Sequence, residues 1–119
     1  MTVPGQIHFV AIGGTGMGSL AGLMKARGAS VTGSDQAVYP PMSEALADWG
    51  IPVQEGFQAA NVLERAPCPP DCVVIGNAVR PDNPEARAVM DTGLPYRSFP
   101  DALYEWGVKG RHSVVITGT

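Results

Sequence analysis

Apolar residues follow two different spacings along this chain. Short continuous apolar runs, of the length of buried strands, alternate with segments in which apolar residues recur every three or four positions, as on one face of a helix. Glycine, proline or a helix-capping residue marks each change between the two. The pattern predicts strands at Ile7–Ile12, Ser30–Gly33, Pro52–Gln54, Cys72–Gly76, Pro95–Arg97 and Ser113–Thr117.

Two helices are predicted in the first half of the chain, and each is expected to end at a glycine. The first should stop at Gly28 in the left-handed conformation, and its apolar face carries Leu20, Leu23 and Met24. The second is expected over Met42–Trp49, where it should bury Leu46 and Trp49 and end at Gly50.

The second half contains the clearest helix start, in the stretch "DNPEARAVM". Asn83 is a good N-cap, Pro84 suits the first helical position, and Glu85 is favourable at the positive end of the helix dipole. The face expected to be buried carries Ala86, Val89 and Met90.

Two shorter helical segments are also predicted. One is a turn over Ala59–Leu63, and the other follows Ser98 and Asp101, which have capping-box spacing ahead of Leu103 and Trp106. Alternating strands and helices joined by short loops predict a single α/β domain, a Rossmann-like open parallel sheet with helices on both faces. Ligands of such sheets bind at the carboxyl ends of the strands, so the loops there are the candidate site.

Composition and charge narrow the classes of partner. Of the 119 residues 45% are hydrophobic, which suffices for the core of one domain. The formal net charge of −3, without a Lys/Arg stripe, argues against a nucleic-acid partner, although backbone amides can still bind a small anion. No apolar run suggests a membrane span or leader peptide, so a cytoplasmic protein is expected.

No metal site or catalytic group is predicted. Cys68 and Cys72 flank "PPD", and only His8 and His112 could complete a metal site, which disfavours zinc. A disulfide across this Pro-rich turn is sterically doubtful, so Cys72 is interpreted as the start of a strand and Cys68 as a loop thiol. Since neither a catalytic triad nor paired carboxylates can be recognised, the chain has the features of a binding domain.

The stretch "AIGGTGMGS" between the first strand and the first helix is the strongest candidate for a binding loop. Gly13 and Gly16 fit the second and third glycines of a dinucleotide-binding fingerprint, and Ala11 takes the place of the first. Such a loop lets a pyrophosphate approach backbone amides at a helix N-terminus. The alternative is a glycine-rich turn that packs on the sheet without a ligand.

Two further loops carry polar groups at predicted strand ends. Asp35 could accept hydrogen bonds from a ribose or a base, or simply cap a turn. Asn77 could donate to a phosphate or sugar oxygen, Arg80 could pair with a phosphate, and the helix start at Asn83 adds oriented amides. Together the three loops predict a nucleotide-sized cleft.

Longer stretches of the chain resemble a known family. "IHFVAIGGTGMGSLAGLMKARGASVTGSD" resembles the start of the Mur ligases, ATP-dependent amide-forming enzymes of bacterial peptidoglycan metabolism. "GSDQAVYPPMSEALADWGI" and "VVIGNAVRPDNPEARAVMDTGLPYRSFPDAL" are similar to the murein peptide ligases, which attach the recycled tripeptide L-alanyl-γ-D-glutamyl-meso-diaminopimelate to UDP-N-acetylmuramate. UDP-N-acetylmuramate–L-alanine ligases share the glycine loop, but residues 38–43 fit them poorly.

The resemblance implies which residues hold the substrate. The glycine loop would line the diphosphate and the second loop would lie near the uridine, whereas Asn77 stands where relatives often have a small hydroxyl residue. With the Asn83 helix start added, the candidate substrate-binding residues are Gly13, Gly14, Thr15, Gly16, Met17, Gly18, Ser34, Asp35, Asn77 and Asn83. An NAD(P)-binding oxidoreductase domain, with Asp35 on the ribose, and a nucleotide-sensing regulatory domain remain alternatives.

The resemblance also implies a domain boundary. In the family a strand leads into a "GT-x-GKT/S" phosphate loop, so residues 1–112 would form the UDP-N-acetylmuramate-binding domain and residues 113–119, which contain "VVITGT", would begin a central ATPase domain. ATP, Mg²⁺ and the tripeptide would then bind to other domains of the full-length enzyme. This chain alone is expected to bind substrate weakly and to lack ligase and ATPase activity, with Val114–Thr117 frayed or paired opportunistically.

Overall fold

The computed structural model describes residues 5–65, 70–76 and 79–108. The strands are β1 (Gln6–Val10), β2 (Ser30–Asp35), β3 (Val53–Glu55), β4 (Cys72–Ile75) and β5 (Tyr96–Ser98). The α-helices are α1 (Thr15–Ala26), α2 (Met42–Asp48), α3 (Pro84–Thr92) and α4 (Phe99–Ala102), and π-helical segments cover Asn61–Arg65 and Leu103–Val108. Cys68, Asn77 and the predicted strand Ser113–Thr117 lie outside the described residues.

All five strands are parallel and form one sheet in the order β3-β2-β1-β4-β5. This confirms the predicted α/β fold with an open parallel sheet. At the centre of the sheet Val10 pairs with Ser34 on one side and with Ile75 on the other. The carboxyl ends of β1, β2 and β4 are therefore level, and the loops that follow them emerge side by side.

Helices cover both faces of the sheet, and β1 contributes to the core on each. Ile7 and Phe9 belong to the larger core, which also contains residues of α1, α2 and α4. Val10 belongs to the smaller core on the other face, with Val62, Val73, Ala88 and Val89. Because both sides of the central strands are buried, these strands appear in the sequence as continuous apolar runs.

The predicted helix signals agree with the structure. The predicted helix ends Gly28 and Gly50 have φ angles of 99° and 73°, in the left-handed region that favours glycine where helices end. The Asn83 side chain accepts hydrogen bonds from two amides of α3, and the Ser98 side chain accepts one from Asp101. Among the described residues, no helix has the length and apolar character needed to cross a membrane.

Two burial predictions were wrong. Trp49 follows the last residue of α2 and is 41% exposed, because its ring lies across Gly22 at the surface of α1. Met90 is 54% exposed, because α3 turns Glu85 and Ala88 inward and leaves Met90 outside. The first strand also ends earlier than predicted, at Val10.

A methyl group at Gly33 is expected to destabilise the fold. A Cβ there would lie 2.8 Å from Cβ of the fully buried Ile12, so sheet or loop must shift. Gly33→Ala should lower the free energy of unfolding by about 1–3 kcal/mol in urea denaturation. At Gly76, by contrast, the nearest atom to an added Cβ is 3.5 Å away, and Gly76→Ala serves as the control. Equal stability of the two variants would contradict this account of Gly33.

Candidate functional site

A groove of about 540 Å³ lies at the carboxyl ends of the central strands. The three loops singled out in the sequence all contribute to it, and the loop after β3 adds a further wall. Its position is the one expected for a ligand of an open parallel sheet. The lining residues are Ala11, Asp35, Gln36, Phe57, Val79, Arg80, Asp82, Asn83 and Pro84.

The turn after β1 is held by the end of β2. The amides of Ala11 and Ile12 both donate to the Ser34 carbonyl, at 2.8 and 3.0 Å, and the Gly13 amide donates to Asp35 Oδ2 at 2.8 Å. Ala11 has a φ of 70°, which is unusual for a residue with a side chain and lies in the region that favours glycine, the residue that the dinucleotide-binding fingerprint has there. The backbone amides of these three successive residues are thus hydrogen-bonded within the protein and are not available to a ligand.

Asp35 combines the two roles that the sequence left open. One carboxylate oxygen binds the Gly13 amide and the other accepts the Gln36 amide at 2.8 Å, so the turn-capping role is present. The same side chain is half-buried and lines the groove. A carboxylate oxygen has a second lone pair, so Asp35 can still accept a hydrogen bond from a ligand.

The N-terminus of α1 has no side-chain cap, and the Asp35 carboxylate binds the Gly13 amide just before it. Gly14 is its N-cap residue and supplies no side-chain cap, and the first turn has no acidic residue. The first intrahelical bond runs from the Gly18 amide to the Gly14 carbonyl at 2.7 Å, so the amides of Thr15, Gly16 and Met17 have no acceptor within the helix. These amides and the helix dipole favour an anion.

Other parts of the predicted glycine loop serve packing. Met17 is 6% exposed and points into the core, and Gly18 packs against Met42 and uses its amide within the helix. A Cβ at Gly16 would lie 2.7 Å from Cζ of Phe99, so this glycine lets α4 approach α1. Gly16 and Met17 can therefore contribute backbone amides to a ligand site, whereas Gly18 contributes close helix packing.

The remaining predicted residues occupy different positions relative to the groove. Ser34 is fully buried beneath it, and its hydroxyl donates to Glu85, so the side chain does not reach the groove surface. Asn83 lines the groove while its side-chain oxygen caps α3. Arg80 also lines the groove and is paired with Asp82 at 3.6 Å, with both side chains mostly exposed, so the pair adds little stability.

A buried polar cluster lies below the groove, and we name it the Glu85 cluster: His8, Thr32, Ser34, Asn61 and Glu85. The Glu85 carboxylate accepts four hydrogen bonds, from His8 Nε2 at 2.9 Å, Ser34 Oγ at 2.6 Å, Asn61 Nδ2 at 2.7 Å and the Gln58 amide at 3.1 Å. The other ring nitrogen of His8 lies 2.8 Å from the Thr32 hydroxyl. The cluster joins β1, β2, the first π-helical segment and α3.

The environment of Glu85 keeps it ionised. Burial raises the pKa of this carboxyl group, but hydrogen bonds from His8, Ser34 and Asn61, together with the charge of His8, outweigh burial and hold the pKa below its ordinary value of 4.5. Among the described residues that are not exposed, every buried side-chain nitrogen or oxygen has a hydrogen-bond partner. A carboxylate with this many donors is stable despite being removed from water.

The Glu85 cluster was not predicted. Glu85 was interpreted only as a partner of the helix dipole, and His8 only as a possible metal ligand. The available signal was the position of His8 within an apolar strand that is buried on both faces, because a buried imidazole requires a partner.

Cys72 lies at the start of β4, as predicted, and burial of its thiol raises the pKa of that group. Within the described ranges no group of three or more His, Cys, Asp or Glu residues could hold a metal ion.

Residues 6–108 match the Mur ligase family, catalytic domain. The chain belongs to the Mur ligase family. It is 40% identical, over 96% of its length, to the UDP-N-acetylmuramate–L-alanyl-γ-D-glutamyl-meso-2,6-diaminoheptandioate ligase of Escherichia coli K12. It is 39% identical, over 97% of its length, to the UDP-N-acetylmuramate–L-alanine ligase of an Arthrobacter species. It spans about a quarter of these two relatives, 24% and 23%.

Solved Mur ligase structures have the same fold. The UDP-N-acetylmuramate:L-alanyl-γ-D-glutamyl-meso-diaminopimelate ligase of Neisseria meningitidis superposes on 90% of this chain with a TM-score of 0.80 and 41% identity, over 32% of the Neisseria chain. The murein peptide ligase of Psychrobacter arcticus superposes on 87% with a TM-score of 0.77 and 43% identity, over 21% of its own chain. The fold described above is thus shared with these solved Mur ligases.

The Glu85 carboxylate is expected to make stability depend on pH. Its pKa is lower in the folded than in the unfolded chain, so its contribution is present above pH 4.5 and is lost as the pH falls through the lower, folded value. Glu85→Gln should therefore be less stable than the wild type at pH 7, by about 1–3 kcal/mol, and the difference should shrink below pH 4.5. Urea denaturation of both proteins, from pH 7 to below pH 4.5, measures this difference in the free energy of unfolding.

Val89→Ala is the matched control for this prediction. Val89 is fully buried in the same helix and does not titrate, so its stability difference from the wild type should not change with pH. A Glu85→Gln difference that stays constant from pH 7 to pH 3 would show that the carboxylate is not held ionised by its neighbours.

Proposed function

We propose that this chain is the UDP-N-acetylmuramate-binding domain of an ATP-dependent ligase that joins L-alanyl-γ-D-glutamyl-meso-diaminopimelate to UDP-N-acetylmuramate. The names of the Escherichia coli and Neisseria meningitidis relatives state this pair of substrates. The observation that carries the proposal is the uncapped N-terminus of α1, which follows the turn that contributes Ala11 to the groove.

The proposed diphosphate site consists of backbone groups. The amides of Thr15, Gly16 and Met17 point away from the start of α1 and have no acceptor within the helix. A diphosphate has several anionic oxygens that suit these donors and the positive end of the helix dipole. A site of this kind needs no cluster of basic side chains, which is consistent with a formal net charge of −3.

The groove then takes the nucleoside. Asp35 and Asn83 line it and offer a carboxylate and an amide group to the ribose or the base. Gly13 and Ser34 support this site from below, since the Gly13 amide holds Asp35 and the Ser34 carbonyl holds the turn after β1. Of the candidate substrate-binding residues, only Asn77 lies outside the described ranges.

The chemistry is assigned to the whole ligase rather than to this chain. The ligase would transfer the γ-phosphoryl group of ATP to the muramyl carboxylate, and the amine of the tripeptide would then displace phosphate to form the amide. We expect ATP, Mg²⁺ and the tripeptide to bind to domains other than residues 1–112, with residues 113–119 at the start of the ATPase domain. We expect the enzyme to act in the cytoplasm, where its nucleotide substrates are.

A second candidate substrate pair is UDP-N-acetylmuramate and L-alanine. The Arthrobacter enzyme of that name is 39% identical to this chain, almost as similar as the first relative. The stretch Val38–Ser43, which follows the groove loop, favours the tripeptide ligase, because it resembles that branch more closely. Both candidates require the same UDP-N-acetylmuramate site.

Gly14→Asp should change stability and ligand affinity in opposite directions. Gly14 has an extended backbone, and the nearest atom to an added Cβ is Met17 Cβ at 4.0 Å, so an aspartate fits. Its carboxylate would cap α1 and raise the free energy of unfolding by about 0.5–1 kcal/mol. The same carboxylate would occupy the amides that the diphosphate needs, so calorimetric affinity for UDP-N-acetylmuramate should fall at least ten-fold.

Gly14→Ala is the control for size without charge. It should bind UDP-N-acetylmuramate within about three-fold of the wild type, since backbone amides remain available. Saturable binding of NADH by the wild type, with none of UDP-N-acetylmuramate, would favour an oxidoreductase domain instead. Unchanged affinity in Gly14→Asp would contradict the proposed diphosphate site.

A further inference from the structure

Phe57 gives the groove an aromatic wall. It is the one aromatic side chain among the described residues that line the groove, and Val79 adds a second apolar surface. Polar side chains of Asp35, Gln36 and Asn83 lie around them. A flat heteroaromatic ring, which has apolar faces and polar edges, matches this combination of surfaces.

The backbone on both sides of Phe57 is fixed. The Gly56 amide donates to the Asp35 carbonyl at 2.7 Å, and the Gly56 carbonyl accepts from Asn61 Nδ2 at 3.0 Å. On the other side, the Gln58 amide donates to Glu85 Oε2 at 3.1 Å. The ring therefore projects from a segment that is anchored one residue before it and one residue after it.

The ring is also supported from behind. Phe57 is half-buried and packs against the smaller core, which contains Val10, Val62 and Val73. Part of its surface is thus fixed against the sheet while another part lines the groove. A ring held in this way is already ordered before a ligand arrives, which lowers the entropic cost of stacking on it.

We propose that Phe57 is the surface on which the nucleobase stacks and that Glu85, acting through the Gln58 amide and Asn61, is the residue that positions it. The inference rests on the proposed nucleotide-binding function and adds the base end of the site to the diphosphate end. Glu85 belongs to α3, whose first residues Asn83 and Pro84 line the groove, so one buried carboxylate connects two groove walls. Through Ser34 it also reaches the strand that carries Asp35.

Substitutions at Phe57 distinguish stacking from simple packing. Phe57→Tyr keeps the aromatic ring, and Phe57→Leu keeps an apolar side chain without one. With UDP as the probe, Phe57→Tyr should bind within about two-fold of the wild type, whereas Phe57→Leu should lose at least about five-fold in affinity. Titration of the 119-residue chain with UDP, monitored by calorimetry or by amide chemical shifts, measures the affinities of both variants.

The outcomes separate this inference from the function on which it rests. If the wild type binds UDP and Phe57→Leu binds it as tightly as Phe57→Tyr, the result contradicts stacking on Phe57. The proposed nucleotide site is then retained. If the wild type binds neither UDP nor UDP-N-acetylmuramate, then the proposed function fails and the inference fails with it. A loss of UDP affinity in Phe57→Leu but not in Phe57→Tyr supports both stacking on Phe57 and the proposed function.

The positioning role of Glu85 has its own readout in the free chain. Glu85→Gln removes the charge that the Gln58 amide contacts, so hydrogen exchange at Gln58 should speed up by more than the global loss of stability explains. Leu46→Ala, a substitution in the core on the other face of the sheet, supplies that global reference. UDP affinity should fall in Glu85→Gln and stay near the wild-type value in Leu46→Ala. Equal exchange and equal affinity in the two variants would overturn the positioning role.

Discussion

The buried carboxylate of Glu85 is the interaction on which the geometry of the candidate site depends. It is fully removed from solvent and accepts hydrogen bonds from β1, β2, the first π-helical segment and the loop after β3. Burying a charge is costly unless donors surround it, so these elements must be in place together. The polar cluster therefore links the order of the sheet to the spacing of the groove above it.

The backbone amides of the glycine turn form two groups. One group is hydrogen-bonded within the fold, and the other remains available to a ligand. The amides of Ala11, Ile12 and Gly13 are bound by the end of β2, and those of Thr15, Gly16 and Met17 are left at the start of α1. The first group fixes the direction in which the helix leaves the sheet. The second group forms the site that we propose for the diphosphate.

The sequence predicted most of the fold because its elements are marked by local signals. The cap at Asn83 and the helix-ending Gly28 and Gly50 depend only on backbone geometry near each residue, and such signals can be identified without knowing the tertiary structure. Trp49 and Met90 were predicted to be buried and are exposed, because their burial depends on how α2 and α3 pack on the sheet.

The sequence predicted which loops form the candidate site, but not which of their residues stabilise the fold and which face a ligand. Asp35 and the glycine turn were placed at the correct strand ends, since parallel strands bring those ends together. The hydrogen bonds of Glu85 join residues as much as 77 positions apart, which no local pattern reveals. Phe57 likewise follows a three-residue strand at the edge of the sheet and carries no motif of its own.

The most direct test of the account is a titration of the chain with UDP-N-acetylmuramate, observed by amide chemical shifts. If α1 binds the diphosphate, the largest saturable shifts should occur at Thr15, Gly16 and Met17, with smaller ones along the groove. Saturable shifts that leave these three amides unchanged would contradict the central claim that backbone donors at the start of this helix hold the nucleotide.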